Sequence, residues 1–103
     1  MDEETRARLE AAGFRETTVQ ELFGLTPEEN EHIETRLALA RLLKQLRQEL
    51  HLTQKMMAVR IHSDQANVSR AEKNDPTISL EWMLKAIYAL GADRERVAKA
   101  ICS

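Results

Sequence analysis

From Leu52 to Glu72 the chain reads Leu-Thr-Gln-Lys-Met-Met-Ala-Val-Arg-Ile-His-Ser-Asp-Gln-Ala-Asn-Val-Ser-Arg-Ala-Glu, and no other stretch narrows the possible folds as much. Thr53 and Asp64 carry short side-chain oxygens of the kind that accept from the unpaired N–H groups of a helix start. They predict one helix over about 54–61 and a second over about 65–73. Met57, Ile61 and Val68 recur at roughly the 3.6-residue period and belong on the buried side, with small Ala58 where two crossing helices must approach closely. The opposite side of the second helix then offers Gln65, Ala66, Asn67 and Arg70 to solvent.

The rest of the chain reads as helix too. Gly and Pro number only 3 and 2, aromatics are 4%, and Ala, Leu, Glu, Arg, Lys and Gln dominate. Thr26-Pro27-Glu28-Glu29 spells an N-cap, a proline at the first helical position and the returning carboxylate of a capping box. A long helix is expected to follow, with Ile33, Leu37, Ala40, Leu43 or Lys44, Arg47 and Leu50 as its inner stripe, up to His51. Asn74-Asp75-Pro76-Thr77 signals a loop, since proline lacks a donor and biases the residue before it away from helix. Ser79 then caps a helix with Leu80, Met83, Leu84, Ile87 and Leu90 on one face, closed by Gly91, and Asp93 caps a last one carrying Val97, Ala98 and Ile101. Upstream, 4–12 is expected to be a short helix ended by Gly13, with Thr17 or Thr18 capping a turn through Val19, Leu22 and Phe23. At 103 residues and 43% hydrophobic, this is one small all-α domain, 26–103, preceded by an acidic extension, 1–25. No internal repeat or low-complexity tract interrupts it.

Several function classes are disfavoured. There is no Gly-rich phosphate loop and no Ser/His/Asp grouping, the carboxylates are scattered, and so small a core leaves little room for a deep pocket, so no catalytic residue and no cofactor are expected. His32, His51 and His62 lack ligand spacing and are read as solvated or turn residues rather than a metal site. Cys102 cannot form a disulfide within the chain and is read as an incidental small apolar residue. Met57 is expected in the core with Met56 partly exposed, and Trp82 as a core plug rather than a stacking platform. An acidic start, Met1-Asp2-Glu3-Glu4, is unlike a secretory signal, and the apolar run from Leu37 to Leu43 is broken by Arg41 and too short to span a bilayer. A cytoplasmic location and no membrane association are expected.

Charge is distributed unevenly. Residues 1–34 hold ten acidic and three basic side chains, a net −7, whereas 35–103 sum to +5. That excess is already complete within 35–73, where Arg36, Arg41, Lys44, Arg47, Lys55, Arg60, Arg70 and Lys73 outweigh Glu49, Asp64 and Glu72. A basic segment around an exposed helix that bears amides and a guanidinium suits duplex DNA, because those groups make paired hydrogen bonds to adenine and guanine edges in the major groove.

The residues Leu46-Arg47, Leu52-Thr53-Gln54, Ala58, Val68-Ser69-Arg70, Glu72, Pro76 and Leu90-Gly91 together resemble, without a gap, the XRE-type (Cro/cI-like, lambda-repressor-like) helix-turn-helix family. The resemblance implies a bundle of five helices over about 31–101 and binding to a double-stranded operator as a two-fold homodimer. It implies that Gln65, Ala66, Asn67 and Arg70 face bases. Gln54 would touch a phosphate and brace Gln65, while Lys55, Ser69, Lys73 and Asn74 would lie nearer the backbone, in keeping with the division between phosphate contacts that position and base contacts that specify. Five positions depart from the family pattern. His62 and His51 stand where glycine is usual, at a cost on the order of 1 kcal/mol if the backbone is left-handed there. Ser63 and Ala71 are smaller or more polar than the usual core residues, leaving space for Trp82 to fill. Asp64 also brings a carboxylate near phosphates, partly offset by its capping role.

Gly13-Phe14 followed by Thr18-Val19-Gln20-Glu21-Leu22-Phe23-Gly24-Leu25-Thr26-Pro27-Glu28-Glu29 resembles the N-terminal extension of small HigA-like antitoxins. That resemblance implies a partner, a RelE/HigB-like ribonuclease toxin, and repression of the chain's own operon. Val19, Leu22, Phe23 and Leu25 are the expected apolar anchors for such a partner. The alternatives are a repressor with no toxin partner, or an interaction adaptor that reads no DNA.

Overall fold

The computed structural model describes residues 24–103, which form five helices and no strand. In chain order they are α1 (Pro27–Glu49), α2 (Gln54–Arg60), α3 (Gln65–Glu72), α4 (Leu80–Ala89) and α5 (Arg94–Cys102). The chain divides into two units, Met1–Ile33 and Glu34–Ser103. The expected helix over 4–12, the turn through Val19, Leu22 and Phe23, and those three partner anchors lie outside the described residues. None of the described helices is long and apolar enough to cross a membrane.

Every helix start follows from local side-chain chemistry. Thr26 and Glu29 form the reciprocal capping box, Glu29 N–H donating to Thr26 Oγ1 at 3.1 Å and Thr26 N–H to Glu29 Oε1 at 3.3 Å. Thr53, Asp64, Ser79 and Asp93 each accept from the N–H three residues on, at 3.0, 2.7, 3.0 and 2.9 Å. Each oxygen satisfies a donor that the helix itself leaves unpaired.

The helix ends share one device. At the ends of α1, α2, α3 and α4 the residues His51, His62, Asn74 and Gly91 take left-handed backbone, with φ of 56°, 58°, 56° and 98°. Beyond each, the chain turns back so that two N–H groups reach carbonyls of the last turn. Ser63 N–H donates to Ala58 and His62 N–H to Val59, at 2.8 and 3.2 Å, and the pairs Leu52 to Arg47 and Asp75 to Arg70 repeat the longer bond at 3.0 and 2.9 Å. This is the Schellman closure, which favours glycine at the left-handed position. Only α4 supplies it; the two histidines occupy such positions as expected, and Asn74 is a third. Ile61 and Lys73, expected as the last helical residues of α2 and α3, are instead their C-caps.

Within Glu34–Ser103 the core is Leu39, Ala40, Leu42, Leu43 and Leu46 of α1, Met57 and Ala58 of α2, Val68 and Ala71 of α3, Ile78, Met83, Ala86, Ile87 and Leu90 of the α4 region, and Val97 of α5. Met57 is fully buried and Met56 half exposed, as the sequence predicts. The expected stripe of α1 is buried at Ala40 and Leu43, half-buried at Leu37 and Arg47, and exposed at its ends, Ile33 and Leu50. Leu39, Leu42 and Leu46 are buried as well, so the middle of α1 buries a face broader than one row. In α5 only Val97 is buried, with Ala100 packed beside it, while Ala98 and Ile101 face solvent. Trp82 is half-buried against the core, yet the space beside Ser63 is not filled. A concavity of about 360 Å³ remains, lined by Ile61, His62, Ser63, Trp82, Lys85, Ala86 and Ala89.

Candidate nucleic-acid interface

Helices α2 and α3 pack directly on each other, with Met57, Ala58, Val68 and Ala71 buried between them and the rest of the core. Neither helix is long enough to hold its direction alone, so the polar groups at their ends matter. Arg47 of α1 sets the arrangement. Its Nε and Nη2 donate to the two carboxylate oxygens of Glu72, at 2.6 and 3.0 Å, and its Nη1 donates to the Leu52 carbonyl at 2.9 Å. The ion pair is largely sheltered, with side-chain exposures of 15% and 5%, which places it closer to a buried than to a surface pair. Donation to Glu72 also pushes the Arg47 guanidinium pKa up, against the effect of desolvation. Gln54, at the first turn of α2, donates from Nε2 to the same carboxylate at 3.3 Å. One carboxylate at the end of α3 therefore fastens α1, the loop before α2, and α2 itself.

This corrects one expectation. The Gln54 amide is engaged with Glu72 rather than bracing Gln65. Gln65, Ala66 and Arg70 are exposed on α3, and Asn67 is half-buried. The Asn67 amide donates to Ser63 Oγ at 3.4 Å and accepts from Arg70 Nη1 at 3.2 Å, so one expected base-facing pair is joined side chain to side chain. Lys55 and Lys73 are exposed, whereas Gln54, Ser69 and Asn74 are half-buried. Lys55 stands beside Gln54 in the first turn of α2, and Lys73 and Asn74 close α3. Leu25, the one described member of the expected partner anchors, is half-buried.

Two groups enter the site that sequence reasoning did not place there. Arg36 of α1 donates from Nε to Asn74 Oδ1 at 3.2 Å and from Nη2 to the Asp75 carbonyl at 3.0 Å. Asp75 in turn accepts from Thr77 N–H and Thr77 Oγ1, and these bonds, with the nearby Arg70 and Arg36 charges, hold its carboxyl below the usual range. Nothing in the local pattern announces a contact between residues 38 apart in sequence. The second group is apolar: Met56 and Val59 of α2 are 51% and 72% exposed.

The face of α3 and the ends beside it thus present amides, a guanidinium and ammonium groups to solvent. All are donors suited to base edges or phosphates, and no cluster of metal-ligating side chains occurs among the described residues. A family model described as a helix-turn-helix domain matches residues 38–100, more than half of the chain. No curated protein and no solved structure matches it significantly.

Proposed function

The chain belongs to the helix-turn-helix domain family, and we propose that it is a sequence-specific regulator that binds double-stranded operator DNA by laying α3 in the major groove. Gln65, Ala66, Asn67 and Arg70 read base edges in this account, and Gln54, Lys55, Ser69, Lys73 and Asn74 hold phosphates. The observation that carries the reading is the polar, unobstructed face of α3. Gln65, Ala66 and Arg70 lie open on a helix whose opposite side, Val68 and Ala71, is fully buried, with exposed Lys55 and Lys73 beside it. The adaptor alternative gives no reason for donors to be concentrated there.

The resemblance to the family adds a two-fold dimer to the proposal, with half-sites about one helical turn apart. Selection of the full-length chain on a pool of random duplexes tests both points. The expected result is enrichment of one inverted repeat with that spacing. A pool that stays random after selection would contradict sequence reading, and a single unrepeated half-site would contradict the dimer.

The acidic residues 1–34 favour a second, compatible activity: binding a basic RelE/HigB-like ribonuclease toxin, as HigA-like antitoxins do, which would make operator binding autoregulatory. A protein that grips RNA presents a basic surface, and a segment of net −7 complements it. Deleting residues 1–25 is expected to leave duplex binding intact and to abolish co-purification of a toxin expressed from the adjacent reading frame. If the full chain captures no such neighbour, the plain repressor reading replaces this one.

A further inference from the structure

Arg36 is not among the residues assigned to bases or phosphates, yet it determines what Asn74 offers. A guanidinium has five N–H donors and no acceptor, so whatever side of an amide faces it must be the carbonyl oxygen. Arg36 Nε donates to Asn74 Oδ1, and Nη2 holds the neighbouring Asp75 carbonyl, which fixes the guanidinium from two directions. The Asn74 NH₂ is therefore turned away from Arg36, and among the described residues it has no partner. The backbone at Asn74 is equally constrained, left-handed with φ 56° and its N–H bonded to the Ala71 carbonyl. A free amide donor with its orientation fixed at both ends thus stands immediately after exposed Lys73, at the C-terminus of α3. The negative end of the helix dipole repels anions, and a phosphate approaching the C-terminus of α3 needs local donors.

We propose that Arg36 is a positioning residue for phosphate binding: it never touches DNA, but locks the Asn74 amide so that Nδ2–H and the Lys73 ammonium form one phosphate grip at the end of α3. This rests on the DNA-binding reading above and adds to it a residue more than thirty positions away from the grip. The binding energy comes partly from preorganisation, since the amide is oriented before DNA arrives.

The test is a double-mutant cycle on the full-length chain, read as affinity for a mixed-sequence duplex, with the melting midpoint of each variant recorded alongside. Asn74→Gly keeps the left-handed backbone available and removes the donor, so affinity falls about tenfold, as for loss of a hydrogen bond to a charged group, while the midpoint holds. Asn74→Asp keeps the acceptor for Arg36 and removes the donor, so it also holds the midpoint and loses at least as much affinity. Arg36→Met weakens binding in the otherwise wild-type chain and by distinctly less in the Asn74→Gly background, because the amide it positions is already gone. Equal losses from Arg36→Met in both backgrounds would overturn the proposal, since Arg36 would then act through its own charge. Wild-type affinity in Asn74→Gly would overturn it as well. A wild-type chain that binds no duplex at all would overturn the DNA-binding reading together with it.

Discussion

Met57 in α2 and Met83 in α4 are both fully buried in one core, but the polar groups around the two helices are handled in opposite ways. Around α2 and α3, Arg47, Glu72 and Gln54 form a sheltered, geometry-specific network, and the helix ends turn through His62 and Asn74 at left-handed positions. Around α4 and α5 the ion pairs are exposed. Glu81–Lys85 and Glu95–Lys99 are one-turn pairs in solvent, and Arg96–Glu49 spans two helices with side-chain exposures of 36% and 46%. The turn after α4 uses Gly91. Apolar burial is non-directional and holds either pair of helices in place, but it does not fix an angle. Directional bonds do. The helix proposed to read bases is the one with a sheltered network of such bonds, whereas the side-chain pairs of α4 and α5 lie open to solvent.

The two regions share one buried core, and truncating it has the largest expected effect. Met57→Ala and Met83→Ala should each destabilise by about 2–5 kcal/mol in urea unfolding, since both methionines leave a cavity in the same core. A large inequality would mean that the two regions have separate cores. The next contrast separates them. Glu72→Ala strands Arg47 in a sheltered site and should cost about 3 kcal/mol, whereas Glu49→Ala, which frees an exposed Arg96, should leave the melting midpoint unmoved within error. Equal effects would remove the distinction between a dry network and solvent pairs. The smallest effects have opposite signs. His62→Gly should stabilise by up to about 1 kcal/mol by relieving a left-handed side chain, while Gly91→Ala should destabilise by a similar amount. Destabilisation by His62→Gly would show that the imidazole makes a contribution larger than its backbone strain.

What could be read from the sequence follows the range of the interactions. Thr26, Thr53, Asp64, Ser79 and Asp93 all cap helices, because a cap needs only the three residues that follow it. The left-handed turns at His51 and His62 were legible for a different reason, since the family that the chain resembles usually has glycine at both positions. The inner face of α1 was legible only in its middle: Ala40 and Leu43 are buried as expected, but periodicity alone does not say that Leu39, Leu42 and Leu46 join them or that Ile33 and Leu50 reach solvent. Gln54 was read toward Gln65, but its acceptor is Glu72, placed there by the Arg47 guanidinium from another helix. The Arg36–Asn74 bond joins residues that only the folded chain brings together. For the candidate site, the residue types on α3 were legible, while the bonds that orient them were not.

If α3 reads bases while its flanks hold phosphates, three variants must behave differently on two duplexes. Affinities of Arg70→Ala, Gln65→Ala and Lys55→Ala are measured on the selected operator and on a mixed-sequence duplex across a salt series. Arg70→Ala and Gln65→Ala should lose about 1–3 kcal/mol on the operator and little on mixed sequence, while Lys55→Ala weakens both alike and flattens the salt dependence. Equal losses on both duplexes for all three variants would contradict base reading by α3.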